Sequence, residues 1–188
     1  MSVNKQNMLY AARLLLEYAG GRLPRLNLMK GLFYLDLEWL LEKGETFTGA
    51  TWVALENGPV VEDYKVQLVR PLLDAADVEE RKVVSAPFAG VPKVLVLREP
   101  PVQPEDEHLE LVARRVATFV SDPDVDISAY THENPAWIEA YRAGPGTRID
   151  MVLAMLQVQD EDPWLNEPFT EEERSRIDQG LTKAGVPL

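Results

Sequence analysis

The sequence predicts a mainly α fold of the α+β kind, a compact helical domain carrying a small β-hairpin. Three observations lead there. Apolar residues recur at helical spacing in three stretches, around 5–19, 28–40 and 109–119. Only two neighbouring runs, 81–86 and 93–98, change to a short β-prone pattern, with 87–92 reading as the long loop of a hairpin. Finally, the chain has 188 residues, of which 46% are hydrophobic, and no cysteine, so it is long enough to bury a core without a disulfide or metal staple.

The first helix is expected over about 5–19, from the helix formers Met8, Ala11, Ala12, Leu15 and Leu16 to the stop at Gly20 and Gly21. A second begins after Asn27 as N-cap and runs to Lys43 and Gly44. Its stripe Leu28, Leu32, Leu35 and Trp39 is widened by Met29, Phe33 and Leu40, the pattern of a buried helix. Gly31 costs that helix roughly 1 kcal/mol against alanine and marks a close helix contact. Residues 50–57 read equally as a short helix or a strand. Gly58 and Pro59 read as a turn between packed elements, with the proline starting a helix over about 60–73 whose apolar positions are Val61, Tyr64, Leu68 and Leu72.

After the hairpin, Pro104 suits a first helical turn. Glu105, Asp106 and Glu107 complement its dipole, and Leu109, Val112, Val116 and Phe119 form the core face up to Asp122 and Pro123. Short helices over 127–132 and 135–142 follow, then a turn at 144–146 and a last core helix over about 148–157. Beyond residue 160 the composition shifts: residues 160–179 carry eight acidic and two basic side chains. There Thr170 and Glu173 form a capping-box pattern for a short helix over 171–179 ending at Gly180, and Trp164 and Phe169 pin the segment to the rest. The expected organisation is a helical domain over 1–160, including the hairpin near 81–98, and an acidic C-terminal tail over 161–188. The tail reads first as a solvated appendage and second as an acidic docking surface.

Chemistry is sparse. The 31 acidic and 19 basic residues give a formal charge of −12, which repels phosphate backbones and anionic lipid heads, so no direct nucleic-acid or membrane partner is expected. The longest apolar run, six residues at 151–156, is far short of the roughly 20 that span a bilayer. With Glu17 breaking the run at 14–16 there is no signal-peptide core, and a cytoplasmic location is expected. No phosphate-binding loop, serine elbow or zinc helix is present, so no catalytic residue, cofactor or metal is assigned. His108, in the acidic first turn of its helix, reads as a surface residue. His132 beside Glu133 admits a general base or half of a metal site, but a hydrogen-bonded structural histidine is the simpler reading. Trp39, Trp52 and Trp137 read as core.

Three segments then read together. The helix bearing Leu28, Lys30, Leu32, Phe33 and Tyr34 resembles the Leu-x-Lys-Leu-Leu-Tyr helix of the Panacea domain family, which includes the SocA-like antitoxins. Ala54, Gly58, Pro59, Val60 and Tyr64 resemble its Ala-x-x-x-Gly-Pro-Val-x-x-x-Tyr segment, and Ser128, Thr131, His132, Pro135 and Trp137 its Ser-x-x-Thr-His … Pro-Trp segment. The resemblance covers about residues 27–142. Gly31 replaces the usual leucine, Leu55 a frequent aromatic, and Ala136 separates Pro135 from Trp137.

The resemblance implies a helical domain with a small β element, and a non-enzymatic bacterial or phage antitoxin that neutralises a cognate toxin by direct protein–protein binding. An acidic chain suits a basic toxin, encoded nearby. The alternatives are a proteolytic adaptor delivering a partner to an AAA+ protease, a phage-associated regulatory protein, or a hydrolase centred on His132. The partner-binding residues it nominates are Tyr64, His132, Glu133 and Trp137, which equally fit a core.

Overall fold

The computed structural model describes residues 4–75, 77–82, 93–98, 106–158, 161–162 and 167–186. Helix α1, Lys5–Tyr18, starts at Asn4, whose side chain accepts from the Asn7 amide. Strand β1, Arg22–Pro24, leads directly into helix α2, Arg25–Lys43, the axis of the fold. Every residue of α2 from Leu28 to Glu38 is buried, so the helix is surrounded rather than amphipathic. Gly31 meets Leu15 of α1, where an added Cβ would lie 3.1 Å from Leu15 Cδ1, as its close-contact reading required. Asn27 does not cap the helix. Pro24 fills that position with its preset φ, and Asn27 Nδ2 instead donates to the Val120 carbonyl at 2.7 Å, tying α2 to the helix beside it.

Residues 52–61 form an antiparallel hairpin of β2, Trp52–Leu55, and β3, Gly58–Val61, which resolves the helix-or-strand ambiguity. Gly58 and Pro59 therefore do not separate two elements as expected. They open β3, pairing with Leu55 and Ala54 across a two-residue turn. The helix expected over 60–73 is correspondingly late and irregular: a π-helical turn, Lys65–Val69, runs into α3, Arg70–Asp74. Asp63, at φ +52, makes the bend before it.

β5, Lys93–Leu97, falls on the second predicted hairpin strand, whereas β4, Val78–Lys82, starts three residues before the first, expected over 81–86; residues 83–92, with the expected loop, lie outside the described residues. β1 joins their sheet in the order β1-β5-β4, a strand with no signal in its three residues. An ionisable residue of α2 anchors β2: Asp36, fully buried, accepts from the Thr48 amide (2.8 Å), the Thr48 hydroxyl and Trp52 Nε1 (2.9 Å). Burial pushes its carboxyl up to about 6 in spite of those three donors, which pull the other way.

α4, Glu107–Ser121, is capped by Asp106 and buries the predicted Leu109, Val112 and Val116, while Pro104 and Glu105 lie outside the described residues. α5, Ile127–His132, and α6, Pro135–Ala143, follow as predicted. α7, Met151–Met155, continued by a 3-10 turn, is shorter than expected because Asp150 caps it and Arg148 is already in a bridge to Val53. After the short pair β6, Glu161–Asp162, and β7, Glu167–Pro168, comes α8, Glu171–Ala184. Its Thr170–Glu173 capping box forms as read, but the helix passes Gly180 and ends at Gly185. Gly180 is a packing glycine: its Cα face lies against the Leu41 carbonyl of α2, where a Cβ would collide. Half-buried Phe169 packs against the core, and Trp164 lies outside the described residues.

His108 is not a surface residue. Its Nε2 lies 3.1 Å from Glu42 and its ring packs at 5.5 Å from Trp39, so burial first and the charge of Lys43 next hold its pKa down at about 4. It is therefore uncharged at neutral pH. Trp52 is core as expected, whereas Trp39 is half-buried between His108 and Phe47.

Candidate partner-binding site

The tip of the β2–β3 hairpin is the place where distant parts of the chain meet. Lys30 reaches it from α2. Its side chain is fully buried, and its Nζ donates to the Asn57 backbone carbonyl in the turn. Gly58 is required there twice over: its φ of +97 favours glycine, and a Cβ would collide with the Lys30 amine. Removal from water pushes the Lys30 ammonium down to about 7, since the charged form has lost its hydration and gained one carbonyl.

From the other side comes the α5–α6 junction. Thr131, fully buried, places its hydroxyl oxygen 2.9 Å from where a Gly58 Cβ would sit, and donates to the Ser128 carbonyl. The ring of His132 stacks on Trp137 at 4.3 Å and 16°, and Trp137 on Tyr141 at 4.9 Å and 10°. Trp137 Nε1 donates to the Leu55 carbonyl at 3.2 Å, clamping the stack to β2. Burial first, then the Lys30 charge, lowers the His132 pKa, while the Glu56 carbonyl opposes this. Its Nε2 is buried with no hydrogen-bond partner among the described residues. The junction itself is rigid: fully buried Asn134 caps α6 through the Ala136 and Trp137 amides, and its Nδ2 donates to the Ala154 carbonyl and Gln157.

Of the four nominated residues, His132 and Trp137 are therefore in direct contact, with Trp137 buried and His132 half-buried. Glu133 is the exposed C-cap of α5 next to them. Tyr64 is apart from the stack. It lies six residues beyond Gly58, past the open end of the hairpin, where the Arg25 guanidinium sits 5.8 Å over its ring and continues to Glu80 at 3.1 Å. Lys30 belongs to the first motif, and the sequence alone points to no role for it. Its signal is a cation inside an unbroken buried stretch, which only the all-round apolar character of α2 makes informative.

Among the described residues no group of three or more His, Asp or Glu side chains can hold a metal ion, and no helix is long and apolar enough to cross a membrane. The family model of the antitoxin SocA-like, Panacea domain family matches residues 28–138, more than half of the chain. The chain belongs to this family. No curated protein and no solved structure matches it. The Panacea match runs from α2 through the start of α6, so it encloses Lys30, the hairpin, Thr131, His132 and Trp137, and excludes α1, α7 and α8. The segments that carry the family pattern are thus the ones that converge on Gly58.

Proposed function

We propose that the chain neutralises a cognate toxin by binding it directly, through the face where the hairpin tip meets the α5–α6 junction. The observation that carries this reading is the convergence itself. Three separated family segments spend a buried lysine, a glycine at positive φ and a clamped aromatic stack on holding one turn in place. Around that turn Glu56, Asn57 and Glu133 are exposed, while His132 is partly so. An acidic rim on a chain of charge −12 favours a basic partner, by steering encounter and rejecting acidic competitors. In this reading Glu133 and His132 touch the toxin, Trp137 orients them, and Tyr64 with Arg25 forms an outlying contact. No enzymatic step is assigned: Lys30 has no solvent exposure, and Thr131 spends its hydroxyl hydrogen on a backbone carbonyl.

Expression of the protein encoded next to this gene, alone and together with this chain, tests the proposal by growth and copurification. Toxicity that is relieved by a copurifying complex supports it. A harmless neighbour that does not copurify overturns it. Relief accompanied by loss of the neighbour, reversed by deleting an AAA+ protease, assigns the adaptor role instead.

A further inference from the structure

The sheet β1-β5-β4 ends in two edges, and they are unequal. β1 offers little. Leu97 N–H donates to the Gly21 carbonyl at 2.8 Å, which leaves Arg22 alone to turn both backbone groups outward, since Pro24 has no N–H. β4 is the longer edge. Arg98 N–H donates to the Asp77 carbonyl at 2.6 Å, so Asp77 and Arg98 form a hydrogen-bonded pair in the β4–β5 ladder. Bonded and non-bonded pairs alternate in an antiparallel ladder, so Glu79 and Arg81 bond to β5. Val78, Glu80 and Lys82 therefore turn their N–H and C=O groups away from β5, and no strand pairs with that side among the described residues.

Proteins commonly guard such an edge with charge. Here both carboxylates of β4 are already committed. Glu79 is held by Arg81 and Arg98, and Glu80 by Arg25 at 3.1 Å and Lys93 at 2.7 Å. With Lys82, five cations stand around two carboxylates, on a chain whose formal charge is −12. The negative charge that holds two copies apart elsewhere is locally reversed at this edge.

The order of residues along β4 is also self-complementary. A second copy turned about a two-fold axis through Glu80 runs antiparallel, with Val78 opposite Lys82 and Glu80 opposite Glu80. These are pairs of the hydrogen-bonding kind, because every residue in them has its backbone groups turned outward. On the outer face the same register sets Glu79 of each copy against Arg81 of the other, two cross-strand pairs of opposite charge. A shift of two residues either way sets Glu79 against Glu79 or Arg81 against Arg81. The like pair at the centre is the cost, and each Glu80 brings its own Arg25 and Lys93 to offset it.

We propose that a second copy of this chain docks on β4, edge to edge and antiparallel about Glu80, joining the two sheets as one in the order β1-β5-β4-β4-β5-β1. A single strand pair buries less than the roughly 1,200 Å2 of a stable complex, so the dimer is weak and concentration-dependent. The proposal stands without the antitoxin reading, and no toxin enters its test.

Sedimentation equilibrium of the full chain tests it. The weight-average mass is expected to rise with concentration from 21.2 kDa toward twice that value. A mass that stays at 21.2 kDa to the limit of solubility overturns the proposal. Glu79→Arg and Arg81→Glu each put like charges across the two-fold, twice per dimer, and are expected to weaken association about tenfold. The double variant, Glu79→Arg with Arg81→Glu, restores both cross-pairs, and its association should return to within about threefold of the unmodified chain. A double variant as weak as the singles, or singles that associate like the unmodified chain, overturns the proposal. Lys82→Pro removes an outward N–H without touching the bonds to β5, and is expected to weaken the dimer while the melting temperature at low concentration stays the same. A dimer indifferent to Lys82→Pro docks elsewhere, which overturns the proposal as well.

Discussion

Lys30 and Asp36 are two fully buried ionisable side chains six residues apart on one helix, and they are treated in opposite ways. Asp36 is given three donors, all from the segment that starts β2, and it pegs the loop after α2 to the hairpin. Lys30 is given one backbone carbonyl, in a turn that must contain glycine, beside an imidazole nitrogen with no hydrogen bond among the described residues. A satisfied buried charge is what stability alone produces. An under-satisfied one persists where something other than stability holds it, and that is the hairpin tip.

The largest effect that sharpens this contrast is at the satisfied site. Asp36→Ala leaves the Thr48 amide and the Trp52 indole N–H buried without an acceptor, and should cost about 3 kcal/mol or more in urea unfolding. On the proposed function, the folded fraction should keep its affinity for the partner. Gly58→Ala should cost about 2 kcal/mol from its positive φ and the clash with the Lys30 amine, and should lose binding as well. A loss of stability with full affinity in the folded protein would dissolve the distinction between the two sites.

The pH dependence separates them further. Lys30 titrates near 7 in the fold and near 10.5 unfolded, so between those values the unfolded chain holds the extra proton and stability rises with pH. Asp36 titrates near 6 in the fold and near 3.8 unfolded, so the folded chain holds the extra proton there and stability falls as pH rises from 3.8 to 6. His108, near 4 in the fold and near 6.5 unfolded, acts with the opposite sign to Asp36 over that range and offsets its fall, so the net dependence is the rise above pH 7 from Lys30. Lys30→Met should flatten the rise above pH 7 and leave the profile below pH 6 unchanged, whereas His108→Gln should uncover the Asp36 fall there, as read from urea midpoints across pH. The smallest structural effect is at the rim: Glu133→Arg should change stability by less than about 0.5 kcal/mol.

Much of this was legible in the sequence because helical spacing reports burial directly. The stripe of α2, the core face of α4 and the paired short helices α5 and α6 all emerge where periodicity put them. The failures have local causes. Gly58 and Pro59 resemble a helix start, and only the pairing with Leu55 and Ala54, a long-range fact, makes them the first residues of a strand. Gly180 resembles a helix stop, and its real constraint is the backbone of another helix. His108 resembles a solvated residue because Glu42 and Trp39, which enclose it, are more than sixty positions away. At the site, His132 and Trp137 were nominated by motif, whereas Lys30 gains its meaning from the carbonyl of Asn57 that it touches.

The most direct test of the central claim is the affinity of the chain for the toxic product of the adjacent gene, measured by calorimetry for the unmodified protein and for Glu133→Arg. A loss of about tenfold or more with an unchanged melting temperature is the predicted result. Equal affinity for both proteins would show that the toxin docks elsewhere and would contradict the assignment of the hairpin tip as the binding face.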